Sequence, residues 1–196
     1  MSALYLPREN RVHEAPMPRR PRVLIPGIAY HVLNRAVRRS ALFETSADYH
    51  AFENVMWQAL QRVPTRLLAY CVMPNHWHLI VWPDHDRELS RFMHWLTMTH
   101  AQRWHAFHQT VGTGPVYQGR FKSIPIESDA HLLTACRYVE RNPLRGGLVD
   151  RAEGWRWSSV WRRCNNCHHG LLHTWPVPIP AGWLDHLNQP SPASEL

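Results

Sequence analysis

Two histidines one residue apart, His76 and His78, sit in the run Pro74-Asn75-His76-Trp77-His78-Leu79-Ile80-Val81. Residues two apart on a strand share a face, so both imidazoles point one way while Trp77, Leu79 and Val81 point the other. Side-by-side imidazoles are natural divalent-metal ligands; a pair of surface histidines, in a chain that has 15, is the plain alternative. A second group lies further along. Leu132, Ala135, Cys136 and Val139 follow i, i+3, i+4, i+7, the buried stripe of a helix. Tyr138 and Asn142 are one turn apart at the edge of that stripe. A tyrosine there can lie half-buried with its hydroxyl in a cleft, and the Asn142 carboxamide can offer oxygen to a cation. An ordinary boundary aromatic and a helix-end residue ahead of Pro143 are the alternatives.

Positioning these groups requires a strand and a helix in contact, and the surrounding sequence supplies both. Residues 28–37 alternate as a strand. Thr45 and Asp48 form a T-x-x-D helix start, with Phe52, Val55, Met56, Ala59 and Leu60 at helical spacing and Pro64 as the stop. Strands fit 66–73 and 76–82, joined by a Pro74-Asn75 turn. A long helix fits 87–108, broken by Val111-Gly112-Thr113-Gly114-Pro115. A fourth strand is expected over 116–126, which would give Arg120 and Lys122 the same face. Ser128 caps a last helix, 129–142, ended by Pro143. The order βαββαβα predicts an α+β fold: a ferredoxin-like βαββαβ antiparallel sheet with helices on one face, plus a C-terminal helix and tail.

A net charge of +7 and a pI near 9.7 favour a polyanionic partner. Lys122 is the only lysine among 22 basic residues, so the remaining positive charge is arginine, suited to bidentate phosphate contacts. Arginine enrichment also follows from a GC-rich genome. No apolar run reaches the length of a membrane span, and the N-terminus lacks an apolar signal-peptide core. Those features place the protein in the cytoplasm, with reduced thiols at Cys71, Cys136, Cys164 and Cys167.

Three segments together resemble a known family. Met73-Pro74-Asn75-His76-Trp77-His78-Leu79, Tyr117-Gln118-Gly119-Arg120-Phe121-Lys122 and Tyr138-Val139-Glu140-Arg141-Asn142-Pro143-Leu144-Arg145 look like the signature blocks of the REP-associated tyrosine transposases, HUH single-tyrosine enzymes related to small insertion-sequence transposases. The resemblance runs from about Pro21 to Ser159. It implies that His76 and His78 are the HUH histidines, Asn142 the third ligand of a divalent cation (Mg²⁺ or Mn²⁺), and Tyr138 the nucleophile. The implied reaction nicks and rejoins single-stranded or hairpin DNA at repetitive extragenic palindromes through a 5′-phosphotyrosine. Two positions depart from the family's habit: Tyr117 stands where Trp is usual, and Gly146 where Ala is frequent.

Arg35, Arg120, Lys122 and Arg145 are the expected DNA contacts, with Lys122 touching the scissile phosphate or the Tyr138 oxygen, or simply solvated. His131 shares the helical edge of Tyr138 without an assigned role. Residues 1–21 read as a flexible basic arm, 22–150 as the catalytic domain, and 151–196 as a tail packing on the domain or on DNA. Trp155, Trp157 and Trp161 alternate with arginines there, a composition suited to base stacking, and Trp157 is the named candidate. Packing of those tryptophans on the domain is the other reading. Truncation after Asp150 is expected to leave a folded domain. Cys164-x-x-Cys167-His168-His169, with His173 nearby, has part of a zinc pattern but lacks its separated second pair. The competing class is a catalytically silent palindrome-binding regulator of the same fold, and either a monomer or a dimer fits the sequence.

Overall fold

The computed structural model describes residues 25–167 and 170–190; the arm 1–21 lies outside the described residues. Four strands, β1 (Ala29–Arg35), β2 (Arg66–Met73), β3 (His76–Trp82) and β4 (Lys122–Ile126), form one sheet in the order β2-β3-β1-β4 with every pair antiparallel. Between them run α1 (Ser46–Arg62) and α2 (Glu88–Phe107), and after them α3 (Asp129–Arg145). The α1 start is the capping box expected at Thr45 and Asp48: the Thr45 hydroxyl accepts from the Asp48 N–H, and the Asp48 carboxylate accepts from the Thr45 N–H at 2.9 Å. The Pro74-Asn75 turn sets Met73 opposite His76, which fixes the register of the histidine strand.

Alternation divides the core in two. Trp77, Leu79 and Val81, with Tyr70 and Val72 of β2, pack under α1 and α2 against Phe43, Phe52 and Phe92. On the opposite face Leu132, Ala135, Cys136 and Val139 of α3 cover Cys71, Met73 and Ile80. A bulge at Leu68, where the β2–β3 register shifts between Leu67 and Ala69, puts Leu68 and Ala69 on the α3 side in succession. Thus α1 and α2 share one face, and the helix carrying Tyr138 lies across the other.

Two expectations need correction. The fourth strand is shorter than 116–126. Residues 118–121 stand opposite only Asn34 and Arg35, between the Ala36–Tyr117 bridge and the Leu33–Lys122 pair. The excess chain bulges out at Gly119, whose carbonyl takes the Asn34 side-chain amide at 3.2 Å instead of a ladder partner. Arg120 and Lys122 therefore do not share a face.

Nor does α3 end at Pro143. Pro143 lies within its last turn, and the helix stops in a Schellman motif, with Gly147 at φ +67°, Gly147 N–H bonded to Leu144 O and Leu148 N–H to Pro143 O. The extra turn carries Arg145.

The tail packs on the domain, one of the two places expected for it. β2 is an edge strand, and its outer backbone groups are taken up by later residues. Val72 N–H bonds to Trp157 O, Tyr70 N–H to Ser159 Oγ, and the Trp155 and Trp175 indoles donate to Val72 O and Leu68 O. Two short helices, α4 (Ser159–Cys164) and α5 (Trp183–Asn188), complete this cover. Buried Glu140 of α3 accepts from Ser159 Oγ at 2.6 Å and Trp183 Nε1 at 2.9 Å and pairs with Arg163. Arg137 and Arg141 donate to the His186 and Leu187 carbonyls at the end of α5. The domain boundary expected at 150 is thus crossed by the bonds that fasten the α3 helix.

Candidate nucleophile and metal-ligand site

Register places the chemistry. Arg35 pairs with His76, Leu33 with His78, and Lys122 with Leu33, so Arg35, His76, His78 and Lys122 occupy one face, the one α3 crosses. His31, two residues before Leu33 on β1, also lies there. His78 is 3% exposed and Asn142 4%, both enclosed between β3 and α3. The Asn142 amide donates to His78 Nε2 at 3.4 Å. With that nitrogen accepting, His78 carries its proton on Nδ1 and donates it to His31 Nε2 at 2.9 Å. His76 Nδ1 lies 2.7 Å from Asn75 Oδ1.

All three imidazoles are held neutral. Burial lowers His31 to about 4, helped by the charge of His131. Burial first, then the charges of Arg35 and Arg145, lowers His76 to about 4, while a hydrogen bond with Asn142 works the other way. His78 is driven well below the ordinary histidine value by burial and then by its histidine neighbours. Neutral imidazoles keep a lone pair available for a cation. Among the described residues no three His, Cys, Asp or Glu side chains gather as ligands, so the carboxamide of Asn142 is the group on hand to complete a set with His76 and His78. The N,N,O donor set suits Mn²⁺ well; among the described residues no carboxylate joins it, and Arg35 and Arg145 make the surroundings positive and receptive to phosphate.

Tyr138 is half-buried with its ring edge-on to His31 and His78, centroids 5.6 Å away in each case. Arg145, placed two turns later by the extension of α3 past Pro143, donates from Nη2 to the Tyr138 hydroxyl at 3.0 Å, with its guanidinium 4.7 Å from the ring centroid. The contact sets a positive charge directly beside the Tyr138 oxygen. Other described tyrosines are buried and committed elsewhere. Tyr117 receives the Trp77 indole at 3.2 Å and lies 2.7 Å from His100 Nδ1, with burial raising its pKa far above the usual value. Tyr49 is pushed up to about 12 by burial, and burial also raises Tyr70 well above the usual value. Among the described residues, Tyr138 is the hydroxyl the site can use.

Of the expected DNA contacts, Arg35 and Lys122 flank the site and Arg145 touches the tyrosine, while Arg120 is carried to the opposite face by the bulge. Trp157 is a correction. It is 8% exposed and stacked on Tyr49 at 4.7 Å, on the α1 side, so it offers no platform to a base. His131 lies exposed at the start of α3, its Nδ1 accepting from the Glu127 N–H. Cys164 and Cys167 are free thiols, and His168 and His169 lie outside the described residues. His31 was not anticipated. Its signal was its spacing from Arg35: i and i+4 on a strand share a face, so an arginine read as facing the site carried His31 with it.

Comparison with known proteins bears on the family and the fold. A family profile described as "Transposase IS200 like" matches residues 25–142, which span every strand and most of α3. A protein of Haemophilus influenzae (strain ATCC 51907 / DSM 11121 / KW20 / Rd), named as a REP-associated tyrosine transposase, is 24% identical over 124 residues, 59% of this chain and 70% of that protein. A solved REP-associated tyrosine transposase bound to a REP hairpin superposes with a TM-score of 0.60 at 20% identity, over 84% of this chain and 94% of that one, and shares the fold. No helix among the described residues is long and apolar enough to cross a membrane. On the match over residues 25–142, the chain belongs to the IS200-like transposase family.

Proposed function

We propose that this transposase nicks and rejoins single-stranded or hairpin DNA through a covalent bond to Tyr138, acting at repetitive extragenic palindromes. The observation that carries the reading is the Tyr138 hydroxyl, half-exposed against two neutral histidines and paired with Arg145. The relative solved with a REP hairpin supports the choice of substrate. His76, His78 and Asn142 would hold a divalent cation, Mg²⁺ or Mn²⁺, which would neutralise a non-bridging phosphate oxygen and make phosphorus easier to attack.

The chain's own groups do the rest. Arg145 stabilises negative charge on the Tyr138 oxygen, and Arg35 and Lys122 draw the phosphate onto the sheet face. As the Tyr138 oxygen bonds to phosphorus, the bond from phosphorus to the 3′ oxygen breaks. Tyrosine gives up one proton and the departing oxygen gains one. The ester keeps the energy of the broken bond, so a 3′-hydroxyl from another strand reverses the step and frees Tyr138 without ATP. His31 holds the His78 ring, and α4 and α5 fasten the helix from behind.

Incubation with a 3′-labelled hairpin oligonucleotide and Mn²⁺ tests this. Wild type is expected to become labelled and to stay labelled in SDS, while Tyr138→Phe binds the hairpin and neither cuts nor becomes labelled. Labelling of Tyr138→Phe, or cutting by wild type without labelling, overturns the reading.

A further inference from the structure

A large cavity lies away from the histidines of the candidate site, on the other side of the sheet. It is a groove of about 1160 Å³ between α2 and the bulged segment 116–121. Arg87, Arg91 and Arg120 stand in its wall, and Asp86 is the single acid there. Its floor is apolar, with Phe121 8% exposed and Met98 49% exposed. Ligand pockets for one small molecule usually run to about 300–1,000 Å³, so this groove has room for more than one nucleotide.

Resting on the DNA-cutting reading of the catalytic face, we propose that this groove holds the single-stranded flank of the DNA whose phosphate is cut on the opposite face. Arginines along an apolar trough match a strand that offers phosphates on one side and bases on the other. The bulge supplies the route. Lys122 faces the catalytic groups, Arg120 lines the groove, and the two are separated only by Phe121. They meet at β4, a five-residue edge strand, so a DNA strand leaving the histidines turns over a short rim instead of a broad surface. The chain's own residues 1–24 are a poor occupant, because Arg8, Arg11, Arg19, Arg20 and Arg22 outnumber Glu9 and Glu14 and give that segment the same sign as the groove.

The test uses the full chain and the double variant Arg87→Gly/Arg91→Ala. Both side chains are exposed, and glycine suits the φ of +61° at position 87. Binding is read by fluorescence anisotropy across a salt titration, for a bare hairpin and for one with an unpaired flank of about eight nucleotides on either side of the stem. The wild type is expected to bind a flanked hairpin more tightly than a bare one. In the double variant that gain is lost and the salt slope on flanked DNA falls by about 1.4, two single-strand phosphate contacts at roughly 0.7 each. Bare-hairpin affinity and the nicking rate at saturating DNA stay as in wild type. A 5-iodouracil in the flank is expected to crosslink to the α2 peptide containing Met98. An unchanged flank gain and slope, or crosslinks confined to the histidine face, overturn the groove assignment while leaving the catalytic reading intact. A gain that survives in the variant once residues 1–24 are deleted overturns it in favour of the arm as occupant. Failure of wild type to bind either hairpin overturns both readings.

Discussion

Acid should unfold this protein through a histidine that takes no part in the chemistry. His100 is 2% exposed on the α1/α2 side, T-shaped to Phe52 at 5.0 Å and stacked on Phe43, with Nδ1 2.7 Å from the Tyr117 hydroxyl. Burial above all lowers its pKa from 6.5 to about 3. The folded state therefore refuses a proton that the unfolded chain accepts once the pH drops below 6.5. The stability His100 contributes is complete above that value and is lost as the pH falls towards about 3, by roughly 1.4 kcal/mol per pH unit. At pH 5, about 1.5 units below the unfolded value, the loss from this group is about 2 kcal/mol. Urea unfolding of wild type and His100→Gln, in EDTA at about pH 7.5, 6 and 5, isolates the effect, since His31 and His76 titrate equally in both proteins. Glutamine can accept the Tyr117 hydroxyl but cannot titrate. The variant is expected to start less stable and then lose about 2 kcal/mol less than wild type by pH 5. Parallel pH profiles would refute the burial argument.

Replacing His31 by Phe keeps a ring of similar size but takes away the acceptor for His78 Nδ1–H, and should raise the Mn²⁺ concentration for half-maximal nicking about 10–100-fold; an unchanged requirement would deny His31 its positioning role. Arg145→Gln removes a charged hydrogen bond worth roughly 1.5–3 kcal/mol and should slow single-turnover nicking about 10–100-fold, with a smaller effect on hairpin affinity. Loss of binding in proportion to rate would make Arg145 a DNA contact and nothing more. Truncation after Asp150 should abolish cooperative urea unfolding. The milder Trp183→Phe, which strips one donor from buried Glu140, should cost about 1–3 kcal/mol.

What could be read in the sequence was whatever local periodicity and turn chemistry dictate. The capping box at Thr45, the Pro74-Asn75 turn, the opposed faces of His76 and Trp77, and the α3 stripe each depend on a few neighbouring residues. Two of the misreadings depended on pairings distant in the chain. Whether 116–121 continues a strand is decided by Asn34, whose amide takes the Gly119 carbonyl. Trp157 looked like a stacking platform because its composition is the same whether it meets a base or Tyr49. Pro143 was taken as a stop, yet α3 runs through it with one i→i−4 bond forgone, and the Gly146-Gly147 pair ends the helix instead. The spacing of His31 from Arg35 put it on the site face, and the His78 hydrogen bond across the sheet gave it a role.

The fastening of α3 by later residues also orders events in time. A chain is made from its N-terminus, so the helix with Tyr138 is complete well before its anchors exist: Trp183 follows Glu140 by 43 residues, and the Leu187 carbonyl follows Arg141 by 46. A half-translated chain possesses the tyrosine and both histidines but not the frame that holds them together. A strand-cutting centre built this way would be steadied only after the polypeptide behind it has been made.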